Sequence, residues 1–313
     1  MGVFFNNKMF LSAIISPRMG DRNYSQLSYF YPMKTHILLL AAITLSFVCG
    51  FGQNLEWVRA MGGSGRDKGY AFDLDKDGNL YVTGYFSETV DFDPGPNEYN
   101  LVSNGGYDAF ILKIDNEGDF IWAKNIGGTS KEIGRGIELD DAGNIYVAGY
   151  FTGTGDFAPG PDTALLMSAG KEDVFFCKMD SNGDFIWAKS IGGTGVDALI
   201  NMTVDKEGNI YGTGFYSGGV DFDPSGGISI PGGSSRSVDV FTFKFNADGD
   251  YQWAKVIVGA DRADQGFGVA VDSKGNVYTT GSFYSGTVGL DFDPGPASEF
   301  IPSSGDRDIF LRK

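Results

Sequence analysis

The four tryptophans of the chain, Trp57, Trp122, Trp187 and Trp253, lie 65, 65 and 66 residues apart, each inside a near-copy of one phrase. The phrases read LEWVRAMGG, FIWAKNIGG, FIWAKSIGG and YQWAKVIVG. A period of this length means that one structural unit has been copied, which constrains the fold more than any local propensity. Other phrases keep the step. The turn phrase DKDGNLY returns as DDAGNIY, DKEGNIY and DSKGNVY. An acidic phrase DFDPG, DFAPG, DFDPS, DFDPG starts at Asp91, Asp156, Asp221 and Asp291. A third, DAFILK, DVFFCK, DVFTFK, DIFLRK, starts at Asp108, Asp173, Asp239 and Asp308.

Within a unit the apolar residues alternate, as strands require. Phe72 and Leu74 oppose Ala71 and Asp73, and the aligned pairs Ile137 with Leu139, Met202 with Val204 and Val269 with Val271 repeat the pattern. The Asp-x-x-Gly-Asn phrase reads as a hairpin turn, with Gly supplying the positive φ. A third strand (DVFFCKMD) and a fourth (FIWAKSIG) are joined by another Gly-containing turn. No helical period stands out after the N-terminal segment. The expectation is all-β: four antiparallel strands per unit, each unit a β-propeller blade, four blades in all. Gly84, Gly149, Gly214 and Gly281 recur inside the second strand, where glycine marks a bulge or a close approach. The repeat region opens on a lone fourth-strand phrase around Trp57 and ends on a lone third-strand phrase at 308–313. Pairing the two would complete a last blade and close the ring; a truncated larger propeller is the alternative.

These phrases resemble the bacterial SBBP β-propeller repeat: GG-x3-D/E (Gly62 to Asp67, Gly127 to Glu132, Gly192 to Asp197), D-x-x-GN-x-Y, and D-x-F-x-x-K before a hairpin. The resemblance covers nearly all of residues 54–313. It implies a secreted or surface propeller and brings no catalytic residues with it. The family is named for a presumed seven-bladed ring, from which four copies depart.

Residues 33–52 (MKTHILLLAAITLSFVCGFG) read as a secretory signal peptide, cleaved between Gly52 and Gln53. The apolar run from Ile37 to Val48 is shorter than the ~20 residues that span a bilayer. Residues 1–32 read as an upstream extension, with translation starting at Met33. A lipoprotein reading through Cys49 is the weaker one, because Val48 fills a position that wants a small residue. Without residues 1–52 the chain keeps 20 basic and 39 acidic residues, net −19. Nucleic acid and anionic membranes are poor partners for that surface. Nineteen of the acids occupy fixed repeat positions, so about half of the negative charge belongs to architecture. Cys177 is then the sole cysteine, aligned with Leu112 and Phe243, and reads as a small core residue in a monomer without disulfides.

The single histidine, His36, falls in the signal peptide, so no Ser-His-Asp or Cys-His set is available. Carboxylate chemistry remains: calcium coordination or glycosidic cleavage. The DFDPG aspartates Asp91, Asp93, Asp221, Asp223, Asp291 and Asp293 are the candidate calcium ligands, two carboxylates beside a Pro-Gly turn. The competing reading pairs them with Lys113, Lys178, Lys244 and Lys313, or with Arg59, Lys124, Lys189 and Lys255. DLDKDG at Asp73, Asp75 and Asp77 opens like a calcium loop, but only Asp75 persists in every copy and position twelve is Gly84; a capped turn is the simpler reading. The tryptophans read as inter-blade core and not as a sugar platform. Arg262, Asp264 and Gln265 form the best off-pattern cluster. The functional expectation is an exported, non-enzymatic module binding an extracellular protein or glycan, with Ca2+ stiffening its loops. A carboxylate glycosidase and a structural segment of a larger surface protein are the alternatives.

Overall fold

The computed structural model describes residues 55–227, 237–259, 263–285, 289–293, 295 and 297–313. The expected signal peptide and upstream extension, and Arg262 of the off-pattern cluster, lie outside the described residues. From Glu56 onward the chain is one compact unit of strands. No helix among the described residues is long and apolar enough to cross a membrane.

Three four-stranded sheets follow one another, each an antiparallel meander with its strands in chain order. The first comprises Lys68–Leu74, Leu80–Phe86, Asp108–Ile114 and Phe120–Gly128. The second comprises Lys131–Leu139, Ile145–Thr152, Asp173–Met179 and Phe185–Gly193. The third comprises Ala198–Val204, Ile210–Ser217, Val238–Phe245 and Tyr251–Ile257. A fourth sheet has three strands, Gln265–Val271, Val277–Phe283 and Asp308–Arg312. The first strands of successive sheets touch one another. Main-chain bonds tie each sheet to the next: the Glu132 N–H donates to Tyr107 O at 2.7 Å, Asp197 N–H to Glu172 O at 2.6 Å, and Asp264 N–H to Val238 O at 2.8 Å.

The third strands show why the sequence there is apolar on both phases. In DVFFCKM, Val174 and Phe176 enter the core shared with the third sheet, alongside Tyr146, Phe243 and Phe245. Phe175, Cys177 and Met179 enter the core shared with the first sheet, with Ile111, Ile126 and Ile137. A strand covered on both faces carries an uninterrupted apolar run instead of alternation. The recurrent second-strand glycines mark a close approach: a Cβ at Gly84 or Gly149 would overlap the carbonyl of Lys68 or Ile133. The bulge itself sits opposite, between Gly69 and Ala71 and between Gly134 and Gly136.

The acidic phrase forms a short hairpin that joins the sheet before it. Gly155 and Asp156 pair with Gly128 and Gly127, and Val220 and Asp221 pair with Gly193 and Gly192. Gly-Gly is needed there, since a Cβ at Gly63, Gly128 or Gly193 would strike the facing backbone carbonyl. Thr89–Asp91 makes the same pairing with Gly62–Gly63.

Among the described residues no ring-closing seam is formed. Asp308–Arg312 pairs with Val277–Phe283, and no register joins it to the Trp57 phrase. Residues 55–61 form no strand. The Trp57 indole N–H donates to Asn116 O at 3.0 Å and the Arg59 guanidinium to Gly118 O at 3.0 Å. The phrase is thereby held on the third-to-fourth turn of the first sheet.

Candidate functional site

Three recurrent polar assemblies hold nearly all the repeat acids. The first is the Asp-x-x-Gly-Asn hairpin. Asp140 Oδ1 accepts from the N–H groups of Ala142 and Asn144 at 3.0 and 2.9 Å, and its Oδ2 accepts from Asn144 Nδ2 at 2.7 Å and Tyr146 Oη at 3.1 Å. Asp75, Asp205 and Asp272 repeat this set. The glycine of each turn sits near φ +80°, from +79° at Gly275 to +84° at Gly78. Burial pushes the Asp140 carboxyl up, but the Asn144 amide and main-chain donors outweigh it and hold the group below the usual carboxylate range. At Asp272 the Asn276 side-chain and backbone donors lead, and the carboxyl falls to about 2. These are capped turns, as the sequence indicated.

The repeat lysines close over the same turns. Lys113, Lys178 and Lys244 lie 4.7, 4.9 and 5.1 Å from the ring centres of Tyr81, Tyr146 and Tyr211, and Lys113 pairs with Asp75 at 3.7 Å. Arg59 and Lys124 reach the next turn, to Asp119 and Asp184, each beside its own tryptophan. Trp57, Trp122 and Trp187 pack against Gly118, Gly183 and Gly249 of the following turns. These three tryptophans therefore pack against the turn of the neighbouring repeat. Between the turns at 75–79 and 140–143 lies a groove of about 490 Å³, lined by Asp75, Asp77, Lys113, Asp140, Asp141 and Asn182 among others. Asp77, Asp141 and Asn182 are exposed on it.

The second assembly is DFDPG. Asp91 Oδ1 accepts from Asp93 N and Tyr99 N at 3.0 and 2.9 Å, and Asp93 Oδ1 accepts from Gly95 N at 2.7 Å. Asp291 and Asp293 match them through Asp293 N, Glu299 N and Gly295 N. Asp221 accepts from Asp223 N at 2.9 Å, and Asp223 from Ser225 N at 2.9 Å. The buried rings of Phe92, Phe157 and Phe222 anchor the hairpins. Of the basic partners expected for these aspartates, Lys113, Lys178, Lys244, Arg59 and Lys124 are engaged at the hairpin turns, and Lys313 lies 5.5 Å from the ring centre of Tyr278. No group of three or more His, Cys, Asp or Glu side chains converges among the described residues.

The third assembly could not be read from sequence. The acid of GG-x3-D/E lies near enough to the acid that opens the third strand of the preceding sheet to feel its charge, Glu132 that of Asp108, Asp197 that of Asp173 and Asp264 that of Asp239. All six are buried. Glu132 Oε2 accepts from Gly128 N at 2.9 Å and Asp197 Oδ2 from Gly193 N at 2.7 Å, while Asp108 accepts from Asn104 N at 3.1 Å and Asp173 from Ala169 N at 2.7 Å. Burial first, then the Asp108 charge, pushes Glu132 up to about 7. Burial and Asp173 raise Asp197 to about 7; burial and Asp239 raise Asp264 to about 6. Glu132 Oε1, Asp173 Oδ1 and Asp264 Oδ2 have no hydrogen-bond partner. The one available signal was the fixed spacing of both acids from the Gly-Gly pair, which does not say that they face each other.

Cys177 is fully buried, and desolvation lifts its thiol to about 12, far from a working nucleophile. Asp264, from the off-pattern cluster, is a seam acid.

The SBBP β-propeller repeat profile matches residues 121–157 and 252–282. An uncharacterized WD repeat-containing protein of Acanthamoeba polyphaga mimivirus is 24% identical over 245 residues, covering 70% of this chain and 18% of that protein. The regulatory protein FlaEY of Caulobacter vibrioides is 25% identical over 210 residues, covering 64% of this chain and 21% of its own length. The chain thus spans about a fifth of the length of these relatives.

Proposed function

From the SBBP β-propeller repeats that this chain carries, we propose an exported, non-enzymatic propeller of four blades that binds an extracellular protein or glycan. The observation that carries the reading is the division of labour among the repeat residues. Nearly every repeat acid accepts main-chain N–H bonds, and the repeat lysines cover tyrosines, so these groups are spent on architecture. What is left over is the groove between the turns at 75–79 and 140–143, with Asp77, Asp141 and Asn182 exposed. Carboxylates and an amide on a concave polar surface suit hydroxyl- or N–H-rich ligands.

The glycosidase alternative requires two acids flanking an open cleft. The seam acids are buried, out of reach of a sugar ring, and the DFDPG acids accept main-chain N–H bonds within their own turns. The test of the reading has two arms. Protein recovered from outside expressing cells should begin at Gln53. The mature chain should retain a ligand from a glycan array or an extracellular protein panel, and Asp77→Ala with Asp141→Ala and Asn182→Ala should abolish retention at an unchanged melting temperature. Retention that survives all three changes would move the site elsewhere.

A further inference from the structure

We infer that copies of this chain associate head to tail, the Trp57 phrase of one copy adding a fourth strand to the last sheet of the next. The last sheet presents Asp308–Arg312 as a free edge. Such a row of unpaired main-chain groups is a template for another strand. Residues 56–61 form no strand, yet they sit as a fourth strand sits against the sheet that follows it. Gly62 and Gly63 pair with Asp91 and Val90 as Gly127 and Gly128 pair with Asp156 and Gly155. Arg59 reaches the Gly118 carbonyl as Lys124 reaches that of Gly183. Among the described residues, the last sheet thus lacks a fourth strand and the phrase before the first sheet lacks a ladder partner.

The two faces fit each other. In the register of the complete sheets Ile309, Leu311 and Arg312 fall opposite Met61, Arg59 and Val58. Ile309 and Leu311 are exposed, whereas their counterparts Val174, Phe176, Val240 and Thr242 are buried. Phe72 is likewise exposed where Ile137 and Met202 are buried. Threonine and glycine match across the gap as well. Thr83 and Thr213 face Gly134 and Gly266 across their seams. Thr280 holds the same place on the last sheet, its hydroxyl donating to Phe310 O at 2.7 Å as that of Thr83 donates to Phe110 O at 2.8 Å. Gly69 has no threonine to avoid within its own chain, and Thr280 is the residue that calls for a glycine there.

Charge is complementary too. The third-strand position of Leu112, Cys177 and Phe243 becomes Arg312, and the fourth-strand position of Ile121, Ile186 and Gln252 becomes Glu56. Two uncharged positions have become one cation and one anion. They lie on a diagonal of the docked ladder, within reach of long side chains. No register joins the two faces within one chain, so the occupant is a second copy. A contact between unlike faces is heterologous, and it extends along a row of copies or closes a ring of them.

The test is sedimentation of the mature chain over a rising concentration series, in salt that screens its acidic surface. Species of two and more chains should grow from a monomer that persists at high dilution, where both faces stay uncovered. Gly69→Leu is tolerated within the chain, since only Val82 Cγ1 lies near, at 3.7 Å. It should keep a cooperative melt and weaken association about tenfold or more, through overpacking against Thr280. Adding Thr280→Ala recreates the Ala148 and Leu199 seam and should restore association, which a merely destabilised chain would not do. Chains carrying Val58→Cys or Arg312→Cys, prepared separately, should form a disulfide-linked heterodimer when mixed under mild oxidation, and neither should crosslink alone. A monomer at every concentration would overturn the proposal, as would unchanged association of the Gly69→Leu chain. So would a crosslink formed by either single variant alone, or one formed within a single chain that carries both cysteines. None of these readouts depends on the groove ligand.

Discussion

The same repeat position meets opposite fates in different sheets. Phe72, in the first strand of the first sheet, is 68% exposed, whereas its counterparts Ile137 and Met202 are 2% and 3% exposed. At the other end Ile309 is 84% exposed where Val240 is 1%. The residues are similarly apolar and lie in the same strand, so the difference comes from whether a neighbouring sheet covers them. The repeat phrase specifies a strand and its register; burial is a property of adjacency. An isolated sheet of this sequence would expose both faces of its third strand.

Truncating side chains gives the largest contrast. Phe243 is fully buried and packs on Phe176, Phe241 and Phe245. Phe243→Ala should cost about 3–5 kcal/mol in chemical denaturation, as large-to-small core changes do. Phe72→Ala should stay within about 0.5 kcal/mol, as surface changes do. Equal losses would mean that the first strand is covered in solution and would dissolve the comparison.

A finer contrast uses one glycine position. A Cβ at Gly134 would overlap Thr83 Oγ1 of the preceding sheet, and one at Gly266 would overlap Thr213 Oγ1. Gly69, at the uncovered first strand, has only Val82 Cγ1 nearby, at 3.7 Å. The position holds Leu199 in the third sheet, where the preceding sheet offers Ala148 instead of threonine. Glycine thus follows threonine and leucine follows alanine across the seam. Gly134→Ala should lose about 1–3 kcal/mol by overpacking, and Gly69→Ala should change stability far less. The double variant Thr83→Ala with Gly134→Ala should recover much of the loss.

The two classes of acid predict a pH profile with opposing limbs. Asp75, Asp140, Asp205 and Asp272 titrate below their ordinary range in the folded chain, so their contribution is present above about pH 4 and is lost on acidification through their lowered values. Glu132, Asp197 and Asp264 are raised to about 7, 7 and 6, and Glu138, half-buried and within reach of the Asp73 charge, to about 7. Their contribution is complete below about pH 4 and disappears as pH rises through those values. In chelator, the melting temperature should peak between the two limbs and decline toward neutrality. Glu132→Gln should flatten the upper limb and leave the acidic limb in place. A flat profile between pH 5 and 8 would show that the seam acids are not desolvated.

How much of this was legible beforehand follows from what a repeat encodes. Periodicity marked the strands, and Asp-x-x-Gly-Asn marked its turn, because a five-residue cap is a local device and each atom involved lies within the phrase. The seam pairs were hidden for the opposite reason: Asp108 and Glu132 belong to different sheets, and only packing brings them together. Lys113, Lys178 and Lys244 lie over tyrosines and not beside the DFDPG acids, since sequence gives their phase along the strand but not the tyrosine across the ladder. The expected closing seam also relied on phase alone.

Closure itself supplies the smallest expected effect and the cleanest way to break the comparison. In the three complete sheets Leu112, Cys177 and Phe243 stand opposite Ala123, Ala188 and Ala254. The same register would set Arg312 opposite Val58. Instead Asp308–Arg312 pairs with Val277–Phe283 while residues 55–61 form no strand, and a disulfide requires Cα atoms within about 7 Å of each other. Val58→Cys with Arg312→Cys should therefore give no intrachain crosslink under mild oxidation and no change in melting temperature, with Cys177 buried and inert. A crosslink in monomeric protein would mean that the outer strands do find each other, and Phe72 would then belong with Ile137 and Met202.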